Sequence, residues 1–189
     1  MSIFDDIKES VENFIKEKTT KYNKSSKWKE YKLGITLTHC GICYDRNNKV
    51  YEANVNEPKL PEHDNCKCYL EWLRSLSVEK ATELGINGAD FYLKYYGYLP
   101  EYYISKEEAL NLGWKSRLGN LDKIAPGKMV GGDIFKNNLG ILPTKEGRIW
   151  YECDIDYQGG YRNNARLVYS NDGLIFKTDS HYTSFIAIE

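Results

Sequence analysis

A chain of 189 residues with 26 basic and 27 acidic side chains carries a net charge of −1, so its overall field predicts neither a nucleic-acid binder nor a membrane-surface binder. The balance stays even when the chain is divided after Leu76, with 13 basic and 12 acidic residues before it and 13 and 15 after, so any RNA binding must rest on a local cluster of cations. No apolar run approaches the roughly 20 residues of a membrane helix, and four of the five cysteines crowd into one segment, unlike the even spread of a disulfide-stapled secreted domain.

Apolar residues at positions 3, 4, 7, 11, 14 and 15 predict an amphipathic helix over residues 2–18, with Ser2 and Asp5 in capping-box spacing. This stretch lacks the apolar centre and cleavage site of a signal peptide. The Lys-rich residues 19–29 predict a loop. Short β-like runs, GITLTH and KVYEANV, surround the first cysteine pair, and the Pro- and Asn-punctuated EPKLPEHDNCKC is loop before the apolar YLEWLRSL.

Residues 77–97 predict a helix interrupted near Gly85 and Gly88, and Ser105 with Glu108 opens a second helix that Gly113 closes. A Gly-rich loop is expected over residues 115–134. Alternating strands follow in RIWYECDI, ARLVYS, LIFKT and TSFIAI, two of them joined by a tight Asn171-Asp172-Gly173 turn. Helices first and antiparallel strands after imply an α+β fold, with N-terminal helices packed on an antiparallel sheet over residues 76–189 and a small Cys/His-containing module over residues 1–75.

Two groups of residues carry candidate chemistry. In the first half, Cys40-x2-Cys43 and His63-x2-Cys66-x-Cys68 offer five donors, of which four suffice for a tetrahedral structural zinc; free thiols or a disulfide are the alternatives. In the second half, a strand glutamate (Glu152), two arginines around the next strand (Arg162 and Arg166) and a histidine before the last strand (His181) are each, taken singly, compatible with solvated or salt-bridged side chains. Asp133 and Asp154 read as structural.

Five stretches in order change that reading: LPEYYISKEEALNLGW, GNLDKIAPGKMVGGDIF, GRIWYECDIDY, GYRNNARLVYS and DGLIFKTDSHYTSF. Over about 105 residues from near Asn87 they closely resemble the barnase-like microbial ribonucleases. The resemblance implies an endoribonuclease that cleaves single-stranded RNA by transphosphorylation to a 2′,3′-cyclic phosphate, with no metal or other cofactor in catalysis. Glu152 matches the general base and His181 the general acid; Lys106, Arg162 and Arg166 match the phosphate-binding set, and Tyr182 a residue that contacts phosphate and base. The division of labour is physically sound, because a glutamate ionises well below the pH at which an ordinary imidazole loses its proton. Lys106, in a first helical turn, stands where the helix dipole disfavours a cation, a mild sign of function.

The family reads guanine with the loop after GGDIF. Phe135 and Asn137 match it and Asn138 lies beside them, but Leu139 stands where the family has Glu, so guanine preference is expected to weaken. The string from Thr38 to Trp72 resembles phage Mu F-like head-morphogenesis modules, which precede toxin domains in polymorphic toxins. Together the two resemblances imply a bacterial toxin, secreted or delivered into target cells without a visible signal peptide and acting in the cytoplasm, with a small acidic barstar-like immunity protein as partner. The rival expectation is a phage-derived structural or delivery protein whose ribonuclease-like domain only binds RNA.

Overall fold

The computed structural model describes residues 26–34 and 39–189. The expected helix over residues 2–18 lies outside them, as does most of the GITLTH run. The first described element is a strand, β1 (Trp28–Lys32), where the sequence suggested the end of a loop. Helix α1 (Gly41–Arg46) follows, with Cys40 as its N-cap and Cys43 inside it, so the first cysteine pair sits on a helical turn. β2 (Val50–Glu52) and β3 (Tyr69–Trp72) pair antiparallel on either side of β1, making a three-stranded sheet of order β2-β1-β3.

β4 (Ser75–Leu76) already belongs to a second, seven-stranded sheet. The expected helix over residues 77–97 is realised only in its last third, as α2 (Ala89–Tyr95), preceded by a 3-10 turn at Gly85–Asn87. The reason is local: Glu79 and Gly85 have positive φ (75° and 56°), and the buried Asp90 carboxylate accepts from the Ala81 amide, which folds residues 77–84 back over the start of α2. β5 (Tyr103–Ile104) leads into α3 (Lys106–Asn111), which keeps the predicted capping box: Ser105 Oγ accepts from Glu108 N at 3.1 Å and Glu108 Oε2 accepts from Ser105 N at 2.7 Å. Gly113, at φ 97°, ends it as foreseen.

The stretch 115–134, expected to be loop, instead holds α4 (Leu121–Ile124) and most of β6 (Met129–Phe135). Its glycines serve a bulge. A Cβ on Gly131 would lie 2.5 Å from the Cβ of Cys153, and Gly132, at φ 93°, is the extra residue where the register against the next strand shifts. β7 (Trp150–Asp154), β8 (Arg166–Ser170), β9 (Ile175–Thr178) and β10 (Ile186–Ile188) complete the sheet in the order β4-β10-β9-β8-β7-β6-β5. β6 to β10 are antiparallel neighbours, whereas both edge pairs, β4 with β10 and β5 with β6, are parallel. The α+β class therefore holds.

Side chains alternate between the two faces of a strand. On one face Cys153, Leu167, Ile175, Ile186 and Ile188 form a core with Ala89 and Leu93 of α2. On the other, the cross-strand row Glu152, Val168, Phe176, Ala187 is set by register, and its three apolar members pack with Trp28, Val50 and Leu73 from the first half of the chain. The rings of Trp28 and Trp150 approach Phe176 at 5.3 and 5.8 Å. Glu152 is thus the charged end of a row whose remainder is covered.

Candidate active site

The row beside Glu152 on the same face is Asp154, Arg166, Thr178, all buried. Asp154 organises it. One carboxylate oxygen pairs with Arg166 Nε at 2.8 Å, while Arg162 grips both oxygens through Nε and Nη2 at 2.6 Å each. Arg166 Nη1 donates to the carbonyls of Asn163 and Ala165, and the Arg162 guanidinium lies 5.6 Å from the Trp114 ring centre. Among the described residues, Nη1 of Arg162 and Nη2 of Arg166 form no hydrogen bond, so each arginine keeps donors for an anion. The paired carboxylate holds the Arg162 pKa above its ordinary value although burial acts to lower it.

Thr178 positions the histidine segment. Its hydroxyl oxygen accepts from the amides of Ser180 (3.2 Å) and Tyr182 (3.0 Å), curling the chain so that His181 and Tyr182 both adopt positive φ, 54° and 73°. Two successive side-chain-bearing residues in that region cost about 1–3 kcal/mol each, and such strain gathers where a side chain must be aimed. The exposed His181 ring packs on Tyr182 with centroids 4.7 Å apart. The Tyr182 hydroxyl in turn donates to Glu152 Oε2 at 2.5 Å.

Glu152 receives a second bond on Oε1, from the Lys106 ammonium at 2.5 Å. Burial would raise its pKa, but the bonds from Lys106 and Tyr182, with the charges of Lys106 and Arg162, outweigh that and hold the carboxyl below the ordinary glutamate range. Lys106 is aimed by its helix: Asp133, just past the bulge, accepts from the Lys106 amide at 3.1 Å and supplies the negative charge that the N-terminus of α3 favours. The two aspartates read as structural from sequence thus act directly on site residues.

Phe135 continues the aromatic line, its ring 5.0 Å from that of Tyr182. Beyond it opens a cavity of about 540 Å³, which reaches His181 and is walled by residues 135–139 of the loop after β6. Asn137 spends its amide inside this loop, donating to the Leu142 carbonyl and accepting from the Leu142 amide. Asn138 and Leu139 are exposed at the rim. All nine predicted catalytic and substrate-binding positions are therefore contiguous. Sequence reasoning missed Thr178 and Trp114, whose contacts depend on register and on packing between distant segments.

A second constellation lies behind α1. Cys43 Sγ is 3.5 Å from Cys40 Sγ and 3.2 Å from His63 Nε2, while His63 Nδ1 lies 2.8 Å from the Asp64 carbonyl, which orients the ring with Nε2 toward the sulfur. Cys43, Cys68 and His39 form an overlapping group, His39 being unforeseen. Cys66 joins neither group, and all five cysteines are free thiols. Tetrahedral zinc sets sulfur and nitrogen ligands about 3.6–3.8 Å apart, so the spacings and the soft donors fit that ion.

Residues 89–189 match a family model described as ribonuclease. Proteins named ribonuclease from Heyndrickxia coagulans, Bacillus intermedius and Bacillus pumilus are each 51% identical to this chain over 102 residues, 54% of its length. The match covers 94% of the first relative and 63% of the other two, so the chain spans less than two thirds of those two proteins.

Proposed function

Since the chain belongs to the ribonuclease family through residues 89–189 and is an endoribonuclease, we propose that it cleaves single-stranded RNA by metal-independent transphosphorylation. Glu152 removes the proton of the 2′-hydroxyl, whose oxygen attacks the adjacent phosphorus. The bond to the 5′-oxygen breaks as His181 protonates it, leaving a 2′,3′-cyclic phosphate and a free 5′-hydroxyl. Lys106, Arg162 and Arg166 balance the charge that builds on the phosphoryl oxygens, and Phe135, Asn138 and Tyr182 bind the base and phosphate, with Asn137 shaping the loop. The observation that carries this reading is the doubly hydrogen-bonded Glu152, kept ionised beside two arginines that retain unspent donors. In EDTA, the purified protein is expected to cleave RNA and leave 2′,3′-cyclic phosphate ends. Activity that vanishes with chelator and returns with Mg²⁺ would contradict it, and RNA binding without cleavage would favour the delivery-protein reading.

We assign residues 1–75 to a Cys/His module of the phage Mu F-like kind and residues 76–189 to the ribonuclease proper, the whole acting as a toxin delivered into target cells. Its proposed partner is a small acidic barstar-like inhibitor docking on Lys106, Arg162 and Arg166, where carboxylates take the place of phosphate. Cys40, Cys43 and His63 would hold a structural zinc, with Cys68 and His39 of the overlapping group and Cys66 as adjacent donors. Protein purified without chelator should then contain about one zinc per chain. A mapped Cys–Cys bridge with no zinc would decide for the disulfide instead.

A further inference from the structure

The cavity beside His181 has one wall that does not come from the ribonuclease-like sequence at all. Asn48, two residues past the end of α1, lines it together with the loop after β6. The position is built. Asn48 takes φ 63°, a left-handed conformation that asparagine tolerates better than most residues, and its amide donates to the carbonyl of the completely buried Tyr31 at 2.9 Å. The two residues after it pin the turn, Lys49 N to the Arg46 carbonyl at 3.0 Å and Val50 N to the Ile141 carbonyl at 2.8 Å. The second of these bonds ties the turn to the far end of the cavity loop.

Among the described residues of the loop after β6, no side chain offers the cavity a fixed polar group. Leu139 has none to offer and is 76% exposed, and the Asn137 amide is consumed by Leu142. Asn138 lies on the exposed rim. The half-buried Asn48 side chain makes no hydrogen bond among the described residues, and it carries both an acceptor and a donor pair. An aromatic ring for stacking and an unspent carboxamide for a base edge are the two parts of a nucleobase site.

We propose that Asn48 is a base-specificity residue, reading the hydrogen-bonding edge of the nucleotide stacked on Phe135, so that the Cys/His module sets which RNA sites are cut. This rests on the ribonuclease reading and adds to it a contribution from outside the matched residues. Asparagine suits a purine edge that offers a donor beside an acceptor, as adenine N6 and N7 do.

The test uses the full chain and the four dinucleotides NpA, varied only in N, with kcat/KM measured for the parent, Asn48→Gly and Asn48→Asp. Glycine removes the carboxamide while accepting the left-handed backbone, and aspartate keeps the shape but replaces donors with acceptors. Asn48→Gly should lower kcat/KM on the favoured dinucleotide roughly ten-fold and leave the poorest one unchanged, since one bidentate base contact supplies discrimination of that order. Asn48→Asp should move the preference toward guanine, whose N–H groups it can accept. Cleavage with base ratios unmoved by Asn48→Gly, or lowered equally on all four, would overturn the proposal while leaving the ribonuclease reading intact. A parent protein that cleaves none of the four would sink both.

Discussion

Glu152→Gln and His181→Ala are each expected to reduce the rate of RNA cleavage by at least about 10²-fold with the fold intact, the loss that follows removal of a general base or a general acid. Gln fills the same volume and keeps one oxygen able to accept from Tyr182 or Lys106, so circular dichroism and melting should change little. Near-normal rates in both variants would refute the assignment. The pH profile gives an independent check. A base works when deprotonated, and Lys106 and Tyr182 hold Glu152 below the ordinary carboxyl range. The acid limb of the parent should therefore fall away at unusually low pH, and it should move upward in Lys106→Ala. A limb that stays in place would mean that another group controls it.

Asp154→Asn is expected to be the most destabilising single change at the site. Asp154 is 1% exposed at its side chain, and Arg166, at 4%, is scarcely more accessible, while Arg162 is at 20%. Removing the charge leaves two guanidiniums facing one neutral amide without a counter-charge, and breaking a buried pair in this way costs about 3–5 kcal/mol. For a chain of this size that corresponds to a fall in Tm on the order of 10 °C. Cleavage should also drop, because Asp154 aims Arg162 through two donors and pairs with Nε of Arg166. A melting point within experimental error of the parent would show that water or a neighbouring group screens both arginines, and the organising role given to Asp154 would fail.

Features encoded within a few residues could be read directly from the sequence. The capping box of Ser105 and Glu108, the glycine stop at Gly113 and the hairpin at residues 171–173 need no partner from elsewhere, and all three appear in the fold. Strand alternation likewise placed Glu152 and Arg166 in paired strands. What failed was decided at a distance. Residues 77–84 have helical spacing, yet the buried Asp90 carboxylate competes for their amides and wins. The glycines of β6 read as loop because their reason, the close approach of Cys153 and Tyr103, lies in neighbouring strands. Asn48 stands some 90 residues from the loop with which it lines the cavity, and locally it reads only as a turn residue.

The seam between Trp28 and Phe176 limits how this protein can be cut. A fragment starting at Ala89 would keep the residues matched to the family, but it would strip β10 of its partner β4 and leave Val168 and Phe176 without Trp28 and Leu73. An unpaired strand edge beside bare aromatic surface is a template for association between copies. A fragment meant to keep this packing should therefore begin upstream of Trp28.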